Sequence, residues 1–474
     1  MNLFDDISTP RFRPAINMGA GFDIPSGLYE RGIHGESILN GGLAQLTGIG
    51  ARPNNYKSAL ALHFILMARR NHRRISGLVY DSEGTLPASR LNNQAFHDPY
   101  LSTIDFTHDT QLRITDVSVY NGDEVWERFR KNIKKKTEKG IEDSLIFTTP
   151  FLDQTTQQPR KAMYPTEALF DSLSKMIITG VENMYDKNTI GSSANNTDAM
   201  TLGKAKNQML NQIPQLAARS NTYIIMTALL GDVINMEMYP TDKRALSMMP
   251  KDTSFKGVSS TFYSLPHNLY LIIKNTPLQT KDKTPEYPRN SGDNLVGDTD
   301  LAELTVRNIR PKNGIAGIPF TLVVSQSEGL LVGLTEFHNC KRHDRFGIGG
   351  NLQNYYMELC PDVKLSRTKV RHKVESDERL KRAISITSDM LQIQQYHRLT
   401  DKHLICTPKE LYDDLIAKGY DWDVLLNTRS YWVFVEEEGD HEKPFLSTMD
   451  LLRMRVGEYV PYWFTDEQKA KLKL

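Results

Sequence analysis

The stretch Gly50-Ala51-Arg52-Pro53-Asn54-Asn55-Tyr56-Lys57-Ser58 is the basis of the fold predicted for this chain of 474 residues. Residues 42–49 (GLAQLTGI) before it are typical of a short apolar strand, and residues 58–67 (SALALHFILM) are typical of a buried helix. A strand, a tight turn and a helix amino terminus bring backbone N–H groups and the positive end of the helix dipole together, which favours an anion. The segment therefore predicts a phosphate-binding loop.

The loop departs from the usual pattern G-x-x-x-x-G-K-[ST]. Ala51 stands where the first glycine belongs, Gly50 comes one residue early, and Tyr56 replaces the last glycine. Lys57 and Ser58 keep the ending that meets nucleotide phosphates and Mg²⁺. All nine residues are candidate nucleotide contacts, and the alternative is an ordinary turn between strand and helix with Lys57 on the surface.

A second element is the segment 78–84 (LVYDSEG), an apolar strand that ends in carboxylates. Glu83 is the candidate general base that positions the attacking water of a hydrolysis reaction. The alternative is a carboxylate at a strand end that only caps the next turn.

A third element is the segment 167–174 (EALFDSLS), an apolar strand ending at Asp171. Asp171 is expected to orient Mg²⁺ through water while the Ser58 hydroxyl ligates the ion. The alternative for Asp171 is a helix N-cap. Residues 148–166 are interpreted as an insertion that interrupts the strand before its functional end.

Composition gives little support for a global nucleic-acid field, because 58 basic and 57 acidic residues leave a formal charge of +1. Three scattered cysteines are too few for a disulfide framework, which is consistent with a reducing compartment. The chain lacks an apolar run of membrane-spanning length and a signal-peptide core at its start. A cytoplasmic protein without a membrane partner is expected.

Strand-like and helical patterns alternate from about residue 36 to 330, which predicts an α/β fold with a mostly parallel, twisted sheet flanked by helices. Residues 1–25 are expected to form an irregular amino-terminal arm and residues 26–335 the core. Residues 336–474 are expected to form a small carboxy-terminal α/β domain.

The segment Tyr80–Ala88 (YDSEGTLPA) resembles the second core strand of bacteriophage UvsX-type and bacterial RecA-type recombinases. An aromatic residue before the loop lysine, here Tyr56, is similar to the phage branch. The order of the later strands is also similar, over about residues 22–335. The resemblance implies a RecA-like P-loop core and a DNA-dependent ATPase that uses ATP and Mg²⁺, with Lys57 on the β/γ-phosphates and Glu83 activating water.

The same resemblance implies further nucleotide contacts. Basic residues of a neighbouring subunit reach the γ-phosphate in that family, and Arg310 and Lys312 match their positions. Ser89 replaces a tyrosine that stacks on adenine in relatives, so Arg90 is the residue expected to stack instead. Thr227 stands where the family places a polar sensor, so the coupling of ATP to DNA is expected to differ.

DNA contacts are expected in residues 231–260, a long and poorly periodic loop. Basic groups in such a loop track phosphates, while apolar side chains wedge or stack between bases. By resemblance the loop holds single-stranded DNA, and duplex DNA is a further expected partner. The candidate contacts are Lys243, Arg244, Lys251 and Lys256.

Self-association into a helical filament is the remaining implication. Phe12 and Ala15 form an F-x-x-A pattern similar to the polymerisation motif of eukaryotic and archaeal recombinases, whose phenylalanine enters a pocket on the next subunit. Single-strand-binding and mediator proteins are further expected partners.

Two other function classes stay open. The loop also resembles that of DnaB-type hexameric helicases (A-R-P-x-x-G-K-T), although the helical amino-terminal domain of that family has no match here. A RecA-like core kept as a DNA-binding subunit without motor activity is the second alternative.

Overall fold

A computed structural model describes the chain from residue 12 to residue 472 with seven internal gaps. The described ranges are 12–117, 120–138, 140–177, 195–233, 244–290, 292–396, 400–433 and 443–472.

The strands form one large sheet and three small ones. In the described part of the chain they are β1 (Leu28–Arg31), β2 (Ser37–Asn40), β3 (Leu46–Ala51), β4 (Ser76–Asp81), β5 (Leu112–Asp116), β6 (Ile146–Leu152), β7 (Pro159–Met163), β8 (Thr166–Asp171), β9 (Thr222–Asp232), β10 (Thr253–Lys256), β11 (Asn268–Pro277), β12 (Leu301–Asn308), β13 (Pro319–Ser325), β14 (Gly329–Leu330), β15 (Ile348–Gly350), β16 (Tyr355–Met357) and β17 (Cys360–Leu365).

The helices alternate with the core strands and dominate the carboxy-terminal part. Among the described residues they are α1 (Asp23–Ser26), α2 (Lys57–Asn71), α3 (Ala88–Ala95), α4 (Gly122–Lys135), α5 (Ile141–Ser144), α6 (Asn195–Ser220), α7 (Thr261–Ser264), α8 (Val332–Arg342), α9 (Val370–Ser376), α10 (Glu378–Tyr396), α11 (Pro408–Ala417), α12 (Trp422–Leu426), α13 (Thr448–Val456) and α14 (Asp466–Lys471). None of these helices has the length and apolar character needed to cross a membrane.

The large sheet has ten strands in the order β14-β13-β12-β11-β3-β9-β8-β4-β5, and β10 pairs with β9. From β5 to β11 every neighbouring pair is parallel, whereas β10, β12, β13 and β14 pair antiparallel. The mostly parallel sheet confirms the predicted fold class, a RecA-like α/β core. The expected hairpin additions at one edge are β12 to β14.

Side chains alternate between the two faces of this sheet because successive residues of a strand point to opposite sides. In β9, Ile225 packs into a cluster with α2, while Ile224 packs into a second cluster with α4 and α6. Both faces are covered by helices, so the central strands are apolar throughout. Each fully buried aliphatic side chain contributes about 1.5–3 kcal/mol of stability.

Parallel pairing brings the carboxyl ends of four strands to one edge of the sheet. These ends are Ala51 of β3, Asp81 of β4, Asp171 of β8 and Asp232 of β9. Asp81 is the direct register partner of Asp171. We call this side of the sheet the loop edge, because the segment between β3 and α2 starts here.

The insertion at residues 148–166 differs from its expected structure. Residues 146–163 form the hairpin β6–β7, a separate two-stranded sheet outside the large one. The segment at Ile146 is therefore not an interrupted part of β8, because it pairs with β7 alone. Alternation of apolar residues could not distinguish a hairpin strand from a core strand.

The described part of the expected amino-terminal arm is packed into the core. Ile16, Met18 and Phe22 are each at most 1% exposed. Ile16 forms an antiparallel bridge with Leu43, next to the strand that leads into the loop. Residues 12–25 thus contribute to the same apolar cluster as α2.

The carboxy-terminal part combines six helices of the described residues, α9 to α14, with the antiparallel sheet β15–β17. Its apolar cluster also contains Leu301 of β12 and Val323 of β13. The packing between the core and the smaller α/β part is therefore continuous across residue 335.

Candidate nucleotide-binding site

The loop between β3 and α2 has the backbone of a phosphate-binding turn despite its missing glycines. Tyr56 occupies the left-handed region with φ 55°, and Asn54 does so with φ 61°. A glycine reaches this conformation freely, whereas another L-residue adopts it at a cost of about 1–2 kcal/mol. Tyr56 therefore takes the conformation for which the usual pattern carries glycine.

Helix α2 begins at Lys57, directly after this turn. The first N–H groups of a helix have no partner within the helix, and the helix dipole adds a partial positive charge there. The amino end of this 15-residue helix thus supplies donors for an anion at the loop edge.

Lys57 is buried rather than on the surface, with a side chain that is 9% exposed. Its ammonium group donates to the Asp171 carboxylate, and to the Thr227 hydroxyl at 2.9 Å. The same hydroxyl donates to Asp171 Oδ1 at 2.5 Å. Three residues from α2, β8 and β9 therefore form one polar cluster, and the alternative of an ordinary surface lysine does not hold.

Asp171 is held in its ionised form. Burial alone would raise its pKa, but the charge and hydrogen bond of Lys57, and the hydroxyls of Ser58 and Thr227, bring the pKa below its ordinary value. No helix begins in residues 172–177, so Asp171 is not an N-cap in the described structure. Its peptide bond to Ser172 is cis.

The donor set suits Mg²⁺ in the way a nucleotide site requires. Mg²⁺ is usually held by one or two protein oxygens together with phosphate oxygens and water. Ser58 and Asp171 supply one hydroxyl and one ionised carboxylate at the loop. The described residues contain no group of three or more His, Cys, Asp or Glu that could hold a metal alone.

The two carboxylates after β4 have different roles. Asp81 is 2% exposed, and its side chain accepts from the backbone N–H groups of Glu83, Gly84 and Leu86 at 2.7–3.1 Å. Asp81 is thus the carboxylate that caps the turn. Glu83 is exposed and accepts from the Ser172 hydroxyl at 3.5 Å.

Serine side chains join the ends of β4 and β8. The Ser82 hydroxyl donates to the Ser172 carbonyl at 2.9 Å and accepts from the Ser172 N–H at 2.8 Å. The Ser82 N–H donates to the Asp171 carbonyl at 2.8 Å. These contacts hold Glu83 on the same edge as the cluster of Lys57, Asp171 and Thr227.

Other predicted nucleotide contacts lie near this edge. Gly50 and Ala51 belong to β3, and a Cβ at Gly50 would lie 2.2 Å from Phe255. Gly50 is therefore needed for packing inside the sheet. Arg90 of α3 has a pKa lowered by burial, and the charges of Asp171 and Asp81 oppose that effect. Base stacking by Arg90 stays a prediction.

Arg52, inside the loop, forms a bidentate ion pair with Asp232 at the end of β9. Its two terminal nitrogens donate to the two carboxylate oxygens at 2.9 and 2.6 Å. Both side chains are largely exposed.

The segment predicted to bind DNA is partly regular. Strand β9 continues to Asp232, and β10 returns antiparallel beside it. The expected irregular loop is thus wrong at both ends, because main-chain pairing extends into it. Arg244 and Lys251 are exposed, and Lys256 lies in β10. Lys243 lies outside the described residues.

Arg310 and Lys312 lie at the opposite edge of the sheet. They follow β12, whose end pairs with the start of β11, and the Lys312 N–H donates to the His267 carbonyl at 2.8 Å. Strand β3 has six residues, which separates the two edges by about 20 Å. The two side chains therefore cannot reach the loop of their own chain.

Phe12 and Ala15 contact their own chain. The Phe12 ring packs edge-on against Phe151 at 5.1 Å between centroids, and the Arg160 guanidinium lies 4.6 Å from its centroid. The Ala15 carbonyl accepts from Trp432 Nε1 at 2.9 Å. An anchoring role for Phe12 in a neighbouring subunit would require it to leave this contact.

Three residues of this site lie outside the catalytic set predicted from the sequence. They are Thr227, predicted only as a replaced sensor, and Asp81 and Asp232, for which the sequence predicts no role. All three are polar residues in the carboxyl-terminal part of a core strand, which is the available signal for a ligand site in a parallel sheet. Using that signal requires the order of the strands in space.

The chain matches no protein-family model and no curated protein. Among solved structures it is similar to the RadB recombinase, with 12% identity and a TM-score of 0.31 over 61% of this chain and 92% of that one. It is also similar to the ATPase domain of a helicase, with 12% identity and a TM-score of 0.34 over 60% of this chain and 84% of that one. At such identities the likeness concerns the fold alone.

Proposed function

We propose that this protein is an ATP-dependent DNA recombinase that assembles on single-stranded DNA in the cytoplasm and promotes homologous pairing and strand exchange. The observation that carries the proposal is the cluster of Lys57, Asp171 and Thr227 at a phosphate-loop turn, with Glu83 on the adjoining strand end. The candidate DNA segment between β9 and β10 starts from the same edge.

Each residue of the cluster has a defined task in ATP hydrolysis. Lys57 transfers its hydrogen bonds from Asp171 to the β- and γ-phosphates, and the helix amino end binds the same anions. Ser58 and Asp171 hold Mg²⁺, which neutralises charge on the phosphates when it is bound.

Glu83 is the group that positions and deprotonates the attacking water. Its carboxylate is exposed at the loop edge, so water reaches it. The hydroxyl of Ser172 orients it, and the turn capped by Asp81 fixes its backbone. A general base at this place contributes about 10²- to 10⁴-fold in rate.

Self-association into a filament follows from the position of Arg310 and Lys312. Because they lie about 20 Å from their own loop, they act on a nucleotide only across a subunit boundary. Contact between opposite edges of successive subunits is head-to-tail, and such an interface generates a helix when it does not close.

Single-stranded DNA is the proposed primary partner, held by Arg244, Lys251, Lys256 and the neighbouring Lys243. Phosphate contacts supply affinity, and the exposed Met248 in this segment is available to pack against bases. Duplex DNA, single-strand-binding proteins and mediator proteins complete the proposed set of partners.

Electron microscopy of the full chain tests this proposal, with and without single-stranded DNA and a non-hydrolysable ATP analogue. Helical filaments that require both ligands are the expected result. Closed rings that unwind forked duplex would identify a DnaB-type helicase instead. DNA binding without DNA-stimulated ATP hydrolysis would identify a subunit without motor activity, and either result overturns the recombinase proposal.

A further inference from the structure

The base of the β9–β10 hairpin lies directly against the phosphate loop. Strand β9 runs five residues past Thr227 to Asp232, and Thr253 of β10 is the register partner of Asp232. The chain between these two residues therefore leaves and rejoins the sheet at the loop edge.

Asp232 is bonded from both sides. Its carboxylate accepts two hydrogen bonds from Arg52 of the loop, at 2.9 and 2.6 Å. Its backbone carbonyl accepts from Lys256 Nζ at 2.8 Å. One residue thus connects the loop, the end of β9 and the returning strand.

Packing makes a second connection between the same elements. Phe255 of β10 occupies the space that a side chain at Gly50 would take, with 2.2 Å from its ring to the Cβ position. The strand that carries the loop and the strand that closes the hairpin therefore move together.

Bound phosphates and Asp232 both attract the Arg52 guanidinium. Arg52 lies in the loop that binds the anion, so occupancy of the loop weakens the hold of Arg52 on Asp232. A ligand shifts a conformational equilibrium by its difference in affinity for the two states. The ion pair supplies such a difference here.

We propose that the Arg52–Asp232 ion pair restrains the hairpin when the loop is empty, and that nucleotide phosphates release it. The DNA part of this inference rests on the proposed function, because the hairpin is the candidate DNA contact. The pair takes the place of the polar sensor that Thr227 replaces. Thr227 is engaged with Lys57 and Asp171 and does not reach the hairpin through a described hydrogen bond.

The expected size of the effect follows from exposure. The side chains are 48% and 64% exposed, and exposed ion pairs change equilibria by about 1.5- to 5-fold. Because linkage is reciprocal, removing the pair raises nucleotide affinity and nucleotide-free DNA affinity by the same factor.

The test uses Asp232→Asn in the full chain, which keeps the side-chain shape and removes the charge. Without DNA, its affinity for a fluorescent ATP analogue is expected to rise about 1.5- to 5-fold. Amide hydrogen exchange of residues 253–256 is expected to respond to the analogue in the native protein and to respond little in the variant. Asp232→Glu keeps the charge and is expected to behave as the native protein.

Asp423→Asn is the matched control, because Asp423 also accepts from an arginine, Arg379, on an exposed surface far from the loop. It is expected to leave nucleotide affinity unchanged. An unchanged or lower nucleotide affinity in Asp232→Asn overturns the coupling. A native protein that binds no single-stranded DNA overturns the proposed function, while the nucleotide and exchange measurements still decide the coupling.

Discussion

The ammonium group of Lys57 bonds the carboxylate of Asp171, a residue 114 positions later in the chain, inside a site where both side chains are at most 9% exposed. Thr227 bonds both partners and completes the cluster. A buried ion pair of this kind is stable only if each partner keeps the other. The consequences of breaking it therefore extend to folding as well as to nucleotide binding.

Lys57→Ala is expected to abolish ATP binding and to lower the free energy of unfolding by about 3–5 kcal/mol, because Asp171 stays buried without its cation. The double variant Lys57→Ala/Asp171→Asn removes that charge and is expected to regain most of the stability while still failing to bind ATP. Chemical denaturation and binding of a fluorescent ATP analogue measure the two effects. Native-like ATP affinity in Lys57→Ala would contradict the site.

Glu83→Gln is expected to retain ATP binding and to lose about 100-fold or more in ATP turnover, because the amide cannot accept a proton from water. Steady-state phosphate release and analogue binding make the comparison. Asp81→Asn is the control, since it disturbs the turn rather than the base and should lower stability. Unchanged turnover in Glu83→Gln would sink the catalytic assignment.

Thr227→Val removes one hydroxyl donor from Asp171 while keeping the side-chain volume. The depressed pKa of Asp171 contributes stability that is present above its ordinary value of 3.8 and is lost as pH falls through the folded-state value. The variant raises that folded-state pKa, so the acid transition is expected to move to higher pH, with about 1 kcal/mol less stability at neutral pH. Thermal denaturation between about pH 2 and pH 7 measures the shift.

Gly50→Ala places a methyl group against the Phe255 ring, at a distance that requires one of them to move. Destabilisation of about 1–3 kcal/mol is expected, as for overpacking in other cores. Gly50→Ala/Phe255→Leu opens the space again, so the two changes are expected to be strongly non-additive in denaturant unfolding. Additive effects would show that the two residues do not share this contact.

Two buried carboxyls give the protein a second pH dependence. Burial raises the pKa of Asp23 and of Glu336 to about 8, and both line a cavity of about 610 Å³ between the core and the carboxy-terminal part. The folded state holds these protons where the unfolded state has released them, so stability is expected to fall as pH rises from about 4 to 8. Glu336→Gln is expected to reduce this slope, and a slope equal to the native one would contradict the assignment.

Features that are contiguous along the chain follow from the sequence alone. The apolar strand, the loop ending in Lys57 and Ser58, and the helix after it follow from local hydrophobicity and turn chemistry, as do the strand ends at Glu83 and Asp171. Alternating strands and helices were sufficient to predict a mostly parallel sheet. These signals act over a few residues, so no knowledge of the distant chain is needed.

Which of these features meet depends on the tertiary structure. Thr227 joins Lys57 and Asp171 because β9 lies beside both β3 and β8, and Arg52 meets Asp232 because β9 extends past the loop. The left-handed conformation of Tyr56 is likewise imposed by the turn against its own preference. Strand order and register arise from packing of the whole core, and a local pattern carries no information about them.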